Sequence, residues 1–184
     1  MLAPYIVDGK TFNLSHLNTF TRKTSFKLRS GEKTAPVEVT FSCHCWSRSP
    51  LQGEQIPVTH FVHDGSEQMP RHRLFCPSRH ELSLELPGLI DKMLTNRALV
   101  YYTAYRNVVR LEDLAPVVAG TPPTKYYIFI KLTKRAPEGA QKFIKMVVES
   151  AYPDSVMYDK PSYGKPIAFS ELLGDCWEGR YPKA

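Results

Sequence analysis

Residues 37–48, VEVTFSCHCWSR, set His44 between the thiols of Cys43 and Cys45. Thiolate and imidazole are the ligands of soft divalent metals, and an imidazole alone exchanges protons near neutral pH. Strand periodicity decides between these chemistries. Successive strand side chains point to opposite faces. Read as a strand over 37–46, the segment puts Val37, Val39, Phe41, Cys43 and Cys45 on one face. Glu38, Thr40, Ser42, His44 and Trp46 then fall on the other. Two thiols and an imidazole so arranged cannot converge on one ion unless the strand breaks. The C-x-C spacing is also tighter than a structural zinc knuckle. The expectation is no metal and no cofactor, with His44 an acid–base candidate.

A second constellation, MPRHRLFCPSRHE at 69–81, carries Arg71, His72, Arg73, Arg79 and His80. Guanidinium forks match phosphate oxygens two at a time, and a helix start attracts anions. Arg79 and His80 join His44 as catalytic candidates, and Arg71 and Arg73 as nucleic-acid contacts. A third group follows. Arg106 stands in the tip AYRN beside Tyr105, and Lys131, Lys134 and Arg135 end the segment KYYIFIKLTKR. Rings among cations suit single-stranded nucleic acid, whose bases stack while its phosphates pair. Arg106 is read as a phosphate-holding catalytic residue, and Tyr105, Lys131, Lys134 and Arg135 as strand guides. Strands favour tyrosine in any case, so the same rings serve equally as core or as a protein interface.

Several chemistries are absent. No nucleophile elbow surrounds any serine, and phosphate-loop and dinucleotide fingerprints are missing. Ser150 and Tyr152 are read as strand-end residues on the face of Ile144, Met146 and Val148. Asp91, Glu112, Asp113 and Glu149 are scattered, which argues against a two-metal nuclease.

The elements that position these groups follow from pattern. Residues 11–48 hold N-terminal strands, with GEKTAP (31–36) read as a turn. Residues 49–78, punctuated by Pro50, Gly53, Pro57, Gly65 and Pro70, read as a long loop with one short strand at VTHFVH. Residues 79–97 form the main helix, with Leu82, Leu86, Leu89, Ile90, Met93 and Leu94 on one face. Pro87 interrupts it, as a kink or as the opening residue of a second helix. ALVYYT (98–103), VVRLEDL (108–114), KYYIFIKLTKR (125–135) and KFIKMVVESAY (142–152) make a four-strand antiparallel meander. Residues 153–184 are a loop-rich tail with a short helix or strand at IAFSELL. The fold class is α+β: a mostly antiparallel sheet, one main helix packed on it, and extra N-terminal strands, in a single domain over 1–184.

The net charge of +6 favours anionic partners. No apolar run reaches membrane-spanning length, so no membrane contact is expected. The N-terminus lacks a signal-peptide pattern, which places the chain in a cytoplasm with four reduced cysteines.

Four segments, VTFSCHCWSR, FCPSRHELSLELPGLI, YYTAYRNVVRLE and YYIFIKLTKRAPEGAQKFIKMVVESAYPD, together resemble a family of small, largely uncharacterised bacterial proteins often met on prophages and mobile elements. The resemblance spans residues 11–155. In architecture alone, a helix before a four-strand meander resembles the core of the barnase and RelE-like toxin ribonucleases. That resemblance implies metal-independent RNA cleavage by a few polar side chains on the sheet face. The functional expectation is therefore a ribonuclease-like or RNA-binding protein of a bacterial mobile element, with a neutralising antitoxin as partner in the toxin-like case. The alternative is a non-catalytic module that binds nucleic acid or a host or phage protein. All these readings need the scattered cations to gather into one patch.

Overall fold

The computed structural model describes residues 2–55, 57, 60–66, 69–96, 98–103, 107–114, 124–154 and 163–180. Chain order begins with a hairpin, β1 (Tyr5–Val7) and β2 (Lys10–Phe12), whose turn uses Gly9 at φ 73°. After a one-turn 3-10 helix at Ser15–Leu17 come β3 (Phe20–Leu28) and β4 (Gly31–Phe41). GEKTAP is thus strand, not turn. The hairpin reverses at Arg29–Ser30, and Gly31 at φ 138° opens β4 in a conformation that needs no Cβ.

β4 ends at Phe41, five residues before the sequence pattern would end it. Cys43–Cys45 is a 3-10 turn, capped by the Ser42 hydroxyl, which accepts from the His44 N–H at 3.1 Å. The residues after it are not a bare excursion. β5 (Ser47–Arg48), β6 (Phe61–Ser66) and β7 (Met69–Phe75) form a three-stranded sheet in the order β5-β7-β6. β-branched and aromatic residues at Phe61, Val62 and Phe75 supply its pairing surface beneath the turn-forming residues.

The main helix is two helices, α1 (Pro77–Ser83) and α2 (Leu86–Thr95). Pro87 lies in the first turn of α2, where a missing N–H costs nothing. Leu86, Ile90, Met93 and Leu94 are buried, so the apolar stripe faces the core. Then follow β8 (Leu99–Thr103), β9 (Val108–Leu114), β10 (Thr124–Arg135) and β11 (Phe143–Pro153), each pairing antiparallel with the next. The tail carries more order than its composition suggests. β12 (Tyr163–Ala168) pairs with β8, and α3 (Phe169–Glu178) ends at Gly179, φ 77°.

The principal sheet has seven strands, β12-β8-β9-β10-β11-β4-β3, with β11 and β4 parallel and the other pairs antiparallel. Helices α2 and α3 lie on one face. Arg22 of β3 meets Asp91 of α2, and Phe26 of β3 and Lys134 of β10 meet Trp177 of α3. Gly174 of α3 sits so close to β3 that an added Cβ would be 2.0 Å from the Lys27 carbonyl oxygen. Between sheet and helices lies the core, with Val37, Val39, Ile128, Ile130, Ile144, Met146, Leu172 and Leu173 essentially without exposure.

A register shift in β11 changes one reading. Phe129 pairs with Ser150 and Ile130 with Val148, leaving Glu149 as the extra residue of a bulge. The bulge inverts the alternation. Ala151 takes the core face, whereas Tyr152 stacks on Phe129 on the other face, centroids 5.3 Å apart. Ser150 and Tyr152 therefore do not continue the row of Ile144, Met146 and Val148. No helix among the described residues is long and apolar enough to cross a membrane.

Candidate functional site

The site grows from the strand break. Once β4 stops, the turn at Cys43–Cys45 tucks against the bulged part of β11. The Ser42 N–H donates to the Val148 carbonyl at 3.0 Å, and its hydroxyl to the Glu149 carbonyl at 2.5 Å. A 3-10 turn separates neighbouring side chains by about a third of a revolution. Cys45 drops into the core, its thiol 3.6 Å from the Val148 carbonyl, while Cys43 and His44 turn toward β6.

There Asp64 receives them. Its Oδ2 lies 2.7 Å from His44 Nε2, and the Cys43, His44 and Asp64 donor atoms all fall within 4.8 Å of one another. The strand break that convergence required is present: it brings Cys43 and His44 together with Asp64, while Cys45 is buried in the core. Burial alone would raise the Asp64 carboxyl, but the hydrogen bond and charge of His44, the Cys43 thiol and Arg73 outweigh it and hold the pKa below its ordinary value. Burial, then the Asp64 charge, push the Cys43 thiol up to about 11 against the opposing pull of Arg73. The thiol is thus protonated at neutral pH and is no ready nucleophile. The His44 side chain is 36% exposed and that of Asp64 24%, so the pair opens to solvent.

Two guanidinia brace the turn from behind. Arg73, buried in β7, donates from Nε to the Ser47 hydroxyl at 2.8 Å, from Nη2 to the Ser47 carbonyl at 3.1 Å and from Nη1 to the Ser49 hydroxyl at 3.3 Å. Arg79 of α1 donates from Nη1 to the same Ser47 carbonyl at 2.8 Å and to the His44 carbonyl at 3.3 Å. Its guanidinium lies 5.0 Å from the Tyr152 ring centre. Neither arginine has a carboxylate within ion-pair distance among the described residues. The Tyr126 hydroxyl, within the electrostatic field of Arg79, is buried without a hydrogen-bond partner among them.

The sequence candidates separate into groups. His44, Arg73 and Arg79 come together, although every nitrogen of the Arg73 guanidinium is engaged in holding Ser47 and Ser49. His80 goes elsewhere. Its Nε2 donates to the Asn13 carbonyl at 3.0 Å, and its ring packs against Phe12, Phe75 and His16. The guide lysines also divide. Alternation puts Lys134 on the helix face, where it donates to the Trp177 carbonyl at 2.6 Å, and Lys131 and Arg135 on the other. Tyr105 and Arg106 lie outside the described residues, as does the Arg71 side chain; the Arg71 backbone pairs with Asp64.

Sequence reasoning passed over Asp64, Lys23 and Lys145, and put Tyr152 on the core face. Lys23 of β3 and Lys145 of β11 occupy the helix-free face with Lys131 and Arg135, across a sheet surface of exposed or half-buried Thr21, Thr34, Thr40, Thr133 and Val147. Glu38 lies beside Lys145 in the register, and Glu32 opposite Lys27. Toward the bulge this face becomes aromatic, with Tyr127, Phe129 and Tyr152 clustered on Val109. Among the described residues no single cluster holds all the candidate cations. A basic face runs toward an aromatic patch, and Arg79 and His44 stand at its end.

The chain belongs to the YjaZ family, whose model matches residues 4–177. No curated protein and no solved structure matches it.

Proposed function

We propose that this protein binds single-stranded RNA along the helix-free sheet face and acts on a phosphodiester at His44 and Arg79. The carrying observation is Arg79 itself: a half-buried guanidinium, tied to the His44 turn, with no carboxylate partner among the described residues. Only Nη1 is committed to backbone acceptors, so Nε and Nη2 have no protein partner among the described residues and can meet a phosphate. From Tyr127, cross-strand from Tyr152, Lys131 is four residues along β10 and Arg135 eight, about 13 and 26 Å at strand rise. The strand's phosphates would follow these cations and its bases the aromatic end of the face.

Asp64 holds His44 through Nε2 and orients the ring, leaving Nδ1 without a hydrogen bond among the described residues. In the proposed step Nδ1 takes the proton of the ribose hydroxyl next to the phosphate. That oxygen bonds to phosphorus, the bond from phosphorus to the leaving ribose oxygen breaks, and His44 returns the proton to the leaving oxygen. The products are a cyclic phosphate and a free hydroxyl. Arg79 stabilises the charge that builds on the phosphoryl oxygens.

Purified protein incubated with single-stranded RNA in the presence of a chelator tests this. The reading expects discrete cleavage, lost in His44→Ala while RNA binding persists. Binding without cleavage by the wild type would reduce the protein to a binding module, and no binding at low salt would remove the reading altogether.

A further inference from the structure

We propose that Cys43, His44 and Asp64 bind a zinc-class divalent cation through thiolate sulfur, imidazole nitrogen and carboxylate oxygen, with a fourth position open to solvent. Among the described residues no other group of three such donors comes as close together. The paired histidines and acids elsewhere, such as His60 with Asp8, bring only two.

The donor set is chemically apt. Zinc takes sulfur, nitrogen and oxygen together, and three protein ligands with one open position is the pattern of reactive rather than structural sites. Thiolate and carboxylate together neutralise a dication, so once the thiol proton is released the occupied site carries no net charge beside Arg73 and Arg79. Ligands held about 2.0–2.3 Å from an ion lie roughly 3.3–3.8 Å from each other in a tetrahedron. The present spread runs from 2.7 Å between His44 and Asp64 to no more than 4.8 Å. Binding needs the closest pair to part and the widest to close by about 1 Å, on the scale of those zinc–ligand distances. Side-chain rotation on a short turn and a hairpin strand can supply that movement. The thiol proton leaves to solvent, and the proton His44 shares with Asp64 passes to Nδ1.

Occupancy would commit both nitrogens of His44 and so shut off the acid–base role proposed above. The metal inference does not depend on that role, since binding is read without RNA. The full-length chain is dialysed against zinc and analysed for bound metal, and in parallel loaded with cobalt and scanned for a thiolate-to-cobalt charge-transfer band. One ion per chain and a clear band are expected. Cys43→Ser should abolish the band, and Cys43→Ser and Asp64→Asn should each weaken binding by at least about tenfold, the lower end of the effect of losing a mere supporting partner. Cys76→Ser, a half-buried thiol at the start of α1, should change neither. A wild type without the band, or uptake unchanged in both ligand variants, overturns the site. Cleavage measured in chelator then stands or falls separately.

Discussion

The cations of the helix-free face make a quantitative prediction about salt. Lys23, Lys131 and Arg135 lie on that face without an acid directly opposite in the register, and Arg79 stands at its end without a carboxylate partner among the described residues. Lys145 and Lys27 neighbour Glu38 and Glu32 across strands and contribute less. Each phosphate neutralised on a single strand adds about 0.7 to the slope of log affinity against log salt, so four cations predict a slope of about −2.8. Raising salt fourfold should then weaken binding by about 50-fold. Lys131→Ala should flatten the slope to about −2.1 and reduce that loss to about 20-fold. Lys134→Ala should leave the slope as it was, because Lys134 is held by the Trp177 carbonyl on the opposite face. Fluorescence anisotropy of a labelled single-stranded oligoribonucleotide, titrated at several salt concentrations, reads both slopes. A flat wild-type response, or a Lys134→Ala change as large as that of Lys131→Ala, refutes the assignment of the face.

Other consequences are local. Arg79→Ala removes two charged-donor hydrogen bonds and the contact with Tyr152, and should cost about 2–4 kcal/mol in denaturant unfolding as well as weakening RNA binding. Gly174→Ala drives a methyl into the Lys27 carbonyl and should destabilise by about 1–3 kcal/mol, seen as a lower Tm without loss of helix content once folded. His16 should make the fold acid-labile. Burial first, and then His80, lower its pKa against the pull of the Asn13 backbone. Its Nε2 donates to the Ser83 hydroxyl at 2.8 Å, which in turn donates to the His80 carbonyl at 2.6 Å. A lowered folded pKa favours the neutral form, so the contribution is full above the unfolded value of about 6.5 and disappears as pH falls through the folded one. His16→Asn should flatten the stability profile below about pH 6.5, the unfolded histidine value. Unchanged acid sensitivity in that variant would assign it elsewhere.

Periodicity located β9, β10, β11 and the buried stripe of α2 because each is a long run in which burial itself sets the pattern. It misread the two places where a single residue changes phase. Ser42 takes over the His44 N–H and ends β4, and Glu149 adds an unpaired residue to β11. A serine just before C-H-C is a local turn signal, since its hydroxyl caps the N–H two residues on. The bulge at Glu149 has no such mark, because it arises from the fit between β10 and β11. Both misreadings fall at the candidate site. The strand break brings Cys43 and His44 to Asp64, and the bulge brings Tyr152 to Arg79. Asp64 lies 20 residues from His44 on another sheet, a pairing that only the tertiary fold creates.

Lysine footprinting with an acylating reagent, read by mass spectrometry with and without a single-stranded oligoribonucleotide at low salt, tests the central claim most directly. The account predicts protection of Lys23, Lys131 and Lys145 on the helix-free face, with none at Lys92, exposed on α2. Equal protection of Lys92, or no protection of the three sheet lysines, would contradict it.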